Sequence, residues 1–145
     1  MNNRYEHTQV GYLILVILCI VLAFIIFFMS FIGFNSIGFI AVLAVVLVLW
    51  MFTKLTVEID SEFLRIKFGA GIIRKKFQLK EICSCREVKN PWYYGWGIRI
   101  TPNGILYNVS GFLAVEIEMK SGRKYRIGTD EPEKLAQAIQ KAIIK

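Results

Sequence analysis

Hydrophobic and polar positions divide the chain into one long uncharged run and a region of short alternations. From Thr8 to Thr53 there is no Asp, Glu, Lys or Arg. Leu, Ile, Val, Phe and Ala fill this run, which breaks once, at Gly33-Phe34-Asn35-Ser36-Ile37-Gly38. The part from Gly11 to Ile32 is about 22 residues long and covers roughly 33 Å as a helix, enough to cross a hydrocarbon core. The second part, about 38–53, is shorter and leans on Phe34 to Ile37 or on Trp50 to reach both interfaces. The pattern predicts a transmembrane hairpin of two helices over 11–53, preceded by a tail at 1–10.

From Lys54 onward apolar residues recur at every second position, the period of half-buried strands. Leu55, Val57 and Ile59 form one such row; Leu64, Ile66 and Phe68 a second; Ile73, Phe77 and Leu79 a third. Ile98 and Ile100, then Ile105, Tyr107 and Val109, then Val115, Ile117 and Met119, then Tyr125 and Ile127 continue the pattern. Pro102-Asn103-Gly104 and Ser121-Gly122 supply turns, because Gly and Asn tolerate the backbone that tight hairpins need. A meander of about seven antiparallel strands, a curled sheet or partly open barrel, is expected over 54–145. The period then lengthens. Leu135, Ala138, Ile139, Ala142 and Ile143 make one helical stripe over about 131–144, with Asp130 and Glu133 as a capping box and Pro132 in the first turn.

Charge sets the orientation. Seventeen of the 18 basic residues follow Thr53, and the whole chain carries a net +7. By the positive-inside tendency both termini are cytoplasmic. A basic domain tethered beneath a membrane meets an anionic surface that attracts each nearby Lys or Arg by about 1 kcal/mol. A cleaved signal peptide fits poorly, since residues 1–32 offer one Arg and an overlong apolar run. Cys19, Cys83 and Cys85 imply no disulfide framework.

Several segments together resemble bacterial pleckstrin-homology-like membrane proteins. They are Gly95-Trp96-Gly97-Ile98-Arg99, Leu106 to Gly111, Ala114-Val115-Glu116-Ile117, and Ile127-Gly128-Thr129-Asp130-Glu131-Pro132-Glu133-Lys134-Leu135. The resemblance covers roughly Lys54 to Lys145. It implies an α+β PH-like domain of seven strands and one C-terminal helix, behind one or two spans in a bacterial plasma (inner) membrane, in a family mostly without an assigned activity.

The chemical inventory argues against catalysis. The only histidine, His7, precedes the first span, so hydroxyl or thiol nucleophiles of the soluble domain lack the commonest general base. Glu116 and Glu118 lie on one outward strand face among charged neighbours. Cys83 and Cys85 point to one side of a strand but lack two further ligands for a tetrahedral metal. No catalytic residue, metal or cofactor is expected. Nucleic-acid binding has only charge in its favour. With Ala70-Gly71 at a hairpin tip, Lys67 faces Arg74 and Arg65 faces Lys76, so four cations share one outer face with Glu58 beside Arg65. Such a face suits anionic lipid headgroups or an acidic protein partner, and it also suits plain solvation. Lys75 falls in the apolar row. Trp92, Tyr93, Tyr94 and Trp96 form a second candidate contact surface, with core filling as the alternative. The role of Arg99, beside Asn108 or a carboxylate, stays open. The reading that results is a non-enzymatic membrane-anchored binding or scaffolding module; the alternatives are a subunit of a larger membrane complex and a self-assembling oligomer.

Overall fold

The computed structural model describes residues 5–144. Helix α1 (Tyr12–Ile32) and helix α2 (Ser36–Phe52) form a pair joined by three residues. Gly33 turns the chain at φ +94°, and the Asn35 carboxamide oxygen accepts from the Gly38 N–H at 2.8 Å, capping α2. That side-chain bond satisfies an amide the helix start would leave bare. The helices approach closely where Met29, the only buried residue among those of α1, rests on Gly38: a Cβ there would lie 2.7 Å from the Met29 sulfur. Most of the remaining apolar side chains of both helices face outward. Helix α1 is long and apolar enough to cross a membrane, and α2, at 17 residues, is the shorter partner.

The helix pair is inserted between two paired strands. Strand β1 (Tyr5–Val10) runs antiparallel to β2 (Lys54–Ile59), from Tyr5 opposite Ile59 to Val10 opposite Lys54. The Gly11 N–H donates to the Thr53 carbonyl at 2.8 Å and closes the base. Residues 5–10, expected within a tail, are therefore the edge of a sheet. Their inward row is Tyr5, His7 and Gln9, too polar for alternation to betray.

Two sheets follow. The first has the order β1-β2-β3-β4, with β3 at Phe63–Phe68 and β4 at Ile73–Gln78. The second contains β5 (Ile82–Lys89), β6 (Gly97–Thr101), β7 (Gly104–Asn108), β8 (Leu113–Met119) and β9 (Lys124–Gly128) in the order β5-β8-β9-β7-β6. The seven expected strands all form, but not as a meander: β7 and β9 run parallel, and β5 and β6 occupy opposite edges. The 109–112 loop carries the chain from β7 past the place of β9 to β8, beside β5, which local turn chemistry does not reveal.

Leu55, Ile66, Phe68, Ile117 and Ile127 are almost wholly buried between the sheets, and Leu135 and Ile139 of α3 (Pro132–Ile143) join the same core. The α3 capping box does not form. Glu131 is the N-cap residue without a side-chain bond, the Thr129 hydroxyl accepts from the Glu131 N–H at 3.1 Å, and Asp130 turns away to His7.

Candidate functional site

The β3–β4 hairpin has the expected register, with Lys67 opposite Arg74, Arg65 opposite Lys76 and Arg65 also opposite Glu58. Its cations are largely matched internally. Lys67 reaches Glu58 at 2.5 Å and Arg65 reaches Asp60 at 2.8 Å. Arg74 donates its Nε–H to the Gly71 carbonyl, while the Lys76 ammonium sits 3.5 Å from the centre of the Phe63 ring. Burial pulls the Asp60 carboxyl upward, but the Glu62 and Phe63 N–H groups with Arg65 and Lys76 bring it below the ordinary carboxylate range. Lys75 keeps its place opposite Ile66 on the free edge of the sheet and lays its ammonium 5.8 Å from the Phe77 ring and 5.9 Å from the Tyr125 ring. The register is thus uninterrupted, and Lys75 fills its place in the row within cation–π reach of both rings.

A denser constellation lies on the outer face of the second sheet. Arg86 of β5 stands opposite Glu116 of β8, Glu116 opposite Arg126 of β9, Arg126 beside Leu106 of β7, and Leu106 opposite Arg99 of β6. Residues in register on one face form a straight row across all five strands. Glu116 Oε1 accepts from Arg86 Nε and Nη2 at 3.0 and 2.7 Å, and Oε2 accepts from Arg126 Nε at 2.7 Å. Arg126 Nη1 donates to the Asn90 side-chain oxygen at 3.0 Å. Glu116 is 3% exposed and Arg126 8%, whereas Arg86 is 67% exposed. Burial raises the Glu116 carboxyl; hydrogen bonds and charge from Arg126 and Arg86 outweigh it and leave it below the usual range.

Topology explains that burial. Residues 90–96 join β5 to β6, the two edges of the sheet, so the segment must cross a face. Tyr94 lies 5.9 Å from the Arg126 guanidinium, which places the crossing over the ionic row, opposite the core. The Tyr94 hydroxyl accepts from Asn103 at 2.9 Å, Trp96 packs on Phe112 at 6.2 Å between ring centres, and Arg99 Nε donates to the Trp96 carbonyl at 3.1 Å. Tyr94 and Trp96 therefore cover the sheet, while Trp92 and Tyr93, in a 3-10 turn, stand 76% and 67% exposed. Glu116, expected outward among charged neighbours, is instead buried beneath these aromatics, and Arg99 pairs with neither Asn108 nor a carboxylate among the described residues. The loop lies at the end of the domain from which the helices depart. A Cβ on Gly97 would sit 3.9 Å from the Phe52 ring, and the Asn90 N–H donates to the Phe112 carbonyl.

His7, which sequence order set apart from the soluble domain, is carried into it by β1. Its Nε2 lies 2.5 Å from Asp130 and its Nδ1 3.5 Å from Glu131. With a carboxylate beside each ring nitrogen, His7 joins β1 to the start of α3. Beside it the Tyr5 phenol is pushed up to about 12, by burial first and then by Glu131 and Asp130.

Cys83 and Cys85 do not face one side. A bulge between Ile82 and Ser84 leaves Cys83 exposed and turns Cys85 inward, where its thiol donates weakly to the Ala136 carbonyl at 3.6 Å. Burial raises the Cys85 thiol, with a side-chain bond to Gln140 opposing. Because the thiolate is the nucleophile, maleimide at neutral pH is expected to label Cys83 about ten-fold faster than Cys85, read by peptide mass spectrometry. Equal rates would contradict the bulge. Among the described residues no three His, Cys, Asp or Glu side chains are grouped to hold a metal. No protein-family model matches the chain, and no curated protein resembles it in sequence.

Proposed function

We propose that this chain is a non-enzymatic, membrane-anchored binding module whose helix pair enters a bilayer from one side and returns to it. The observation that carries this reading is the pairing of β1 with β2 across the base of the helices. Whatever precedes α1 and follows α2 then lies on the same side, and the charge asymmetry makes that side cytoplasmic. The exposed apolar surface of α1 and α2 supports insertion.

Recognition falls to the end of the domain at the helix base. The basic hairpin, with Arg65 and Lys67 already paired, leaves Arg74, Lys75 and Lys76 on the β4 edge as its contribution to an anionic surface. Trp92, Tyr93, Phe112 and Ile72 are exposed at the same end, and aromatic residues of this kind favour the headgroup layer. The mixed strand order departs from the meander that alternation predicts, so the proposal leans on the anchored sheet and its C-terminal helix. The inner membrane of a bacterial cell is the location the resemblance implies.

The test uses the full chain in bilayer discs with a paramagnetic lipid headgroup. Amide signals of Ile72, Trp92, Tyr93 and Phe112 are expected to broaden, and replacing Arg74, Lys75 and Lys76 by Glu to reduce the broadening in anionic discs. Sharp signals throughout the loop would overturn membrane contact. A second reading, a subunit of a larger complex, is favoured by the β6 edge, where Ile100 is 91% exposed on a strand whose outer side is unpaired. A stoichiometric protein retained in mild detergent would select it.

A further inference from the structure

Two buried side-chain nitrogens in the 90–96 loop, Asn90 Nδ2 and Trp96 Nε1, have no hydrogen-bond partner. The orientation of Asn90 is fixed by chemistry, since its oxygen accepts from Arg126, which can only donate. Both orphans are therefore donors, and what the site lacks is an acceptor. The two residues that carry them both touch Phe112: the Asn90 backbone N–H donates to its carbonyl and the Trp96 indole packs on its ring. The surroundings are cationic, with Arg86, Arg126, Arg99 and Lys124 on this face set against Glu116 and Glu118. Buried donors left unpaired are costly, and donors beside surplus guanidinium call for an anionic oxygen. Arg86, two-thirds exposed at the sheet edge, gives the approach from solvent.

We propose that the underside of this loop is a binding site for an anionic phosphate oxygen, held by Asn90 Nδ2 and Trp96 Nε1 with Arg86 and Arg126 supplying charge. Binding lifts the loop at Gly95 and Gly97, whose φ values of +66° and +93° are backbone that glycine adopts without strain. The site stands without the membrane reading; only the source of the phosphate, a lipid headgroup or the free ion, depends on it.

The test follows the three tryptophan indole N–H signals of the full chain in phosphatidylcholine discs. One arm titrates inorganic phosphate against chloride at matched ionic strength; the other replaces part of the lipid by phosphatidylglycerol without phosphate. A saturable shift of the Trp96 signal is expected in at least one arm. Response to phosphate assigns the free ion, and response to phosphatidylglycerol alone assigns the headgroup. Asn90→Asp puts a carboxylate where the donor was and is expected to abolish the shift. Arg86→Gln, at an exposed position that leaves the fold intact, is expected to weaken binding about ten-fold. No shift in either arm, or a shift that survives both substitutions, overturns the site.

Discussion

Replacing Glu116 by leucine is expected to destabilise the β domain by about 3–5 kcal/mol, the range for removing one partner of a buried ion pair. Arg126 would remain 8% exposed with no carboxylate beside it. Truncating the other partner of Glu116 is predicted to matter far less: Arg86→Met removes an exposed guanidinium, for which about 1 kcal/mol is the upper expectation. The double variant Glu116→Leu with Arg126→Met replaces the buried pair by apolar volume and should recover most of the loss. Urea unfolding of the full chain in detergent, followed by near-ultraviolet dichroism, measures all three. Equal midpoints for Glu116→Leu and Arg86→Met would refute the central role of the carboxylate. The pH dependence has a definite sign. The folded Glu116 carboxyl lies below its ordinary value, so its contribution is complete above the unfolded pKa and fades as pH falls toward the folded one. The gap between the natural chain and Glu116→Gln should accordingly narrow in acid.

How far the sequence revealed this row depends on which contacts are local. The β3–β4 register was legible because period-two alternation and a Gly tip determine it together. The end of α1 was legible because the turn at Gly33 to Asn35 interrupts an otherwise unbroken apolar run, whereas α2 begins at Ser36, two residues before the expected start. Strand β1 was hidden because its inward row is mostly polar: Tyr5 packs against the core, but His7 meets Asp130 and Glu131, and Gln9 Nε2 donates to the Ser110 carbonyl at 3.1 Å. Strand β5 was hidden by its bulge and exposed edge. Glu116 and Arg126 do face away from the core, as alternation says, and are buried only because a loop returns across the sheet. Leu106 and Ala114, both wholly buried on that outer face, were the available signal that something covers it.

The joint between helices and sheet makes a sharper prediction, at Gly69. Its φ is +54°, its N–H donates to the Lys54 carbonyl at 2.8 Å, and a Cβ would lie 2.5 Å from the Trp50 carbonyl oxygen and 2.6 Å from that of Met51. The β3–β4 turn is thereby seated on the last turn of α2. Gly69→Ala combines a left-handed backbone cost of about 1–2 kcal/mol with a clash against backbone that cannot swing aside. Gly111→Ala is the control, because its φ of +68° carries the same backbone cost with nothing within 4 Å of the added carbon. Trypsin cleavage after Lys54, whose carbonyl the turn holds, reports local opening in discs. Gly69→Ala is expected to speed that cleavage at least about ten-fold beyond Gly111→Ala, equivalent to roughly 1.4 kcal/mol. Equal rates would mean that the turn does not bear on the helix end. A faster rate confined to Gly69→Ala would mean that strain at the helix base reaches the sheet through this one turn, the coupling that the proposed anchored module requires.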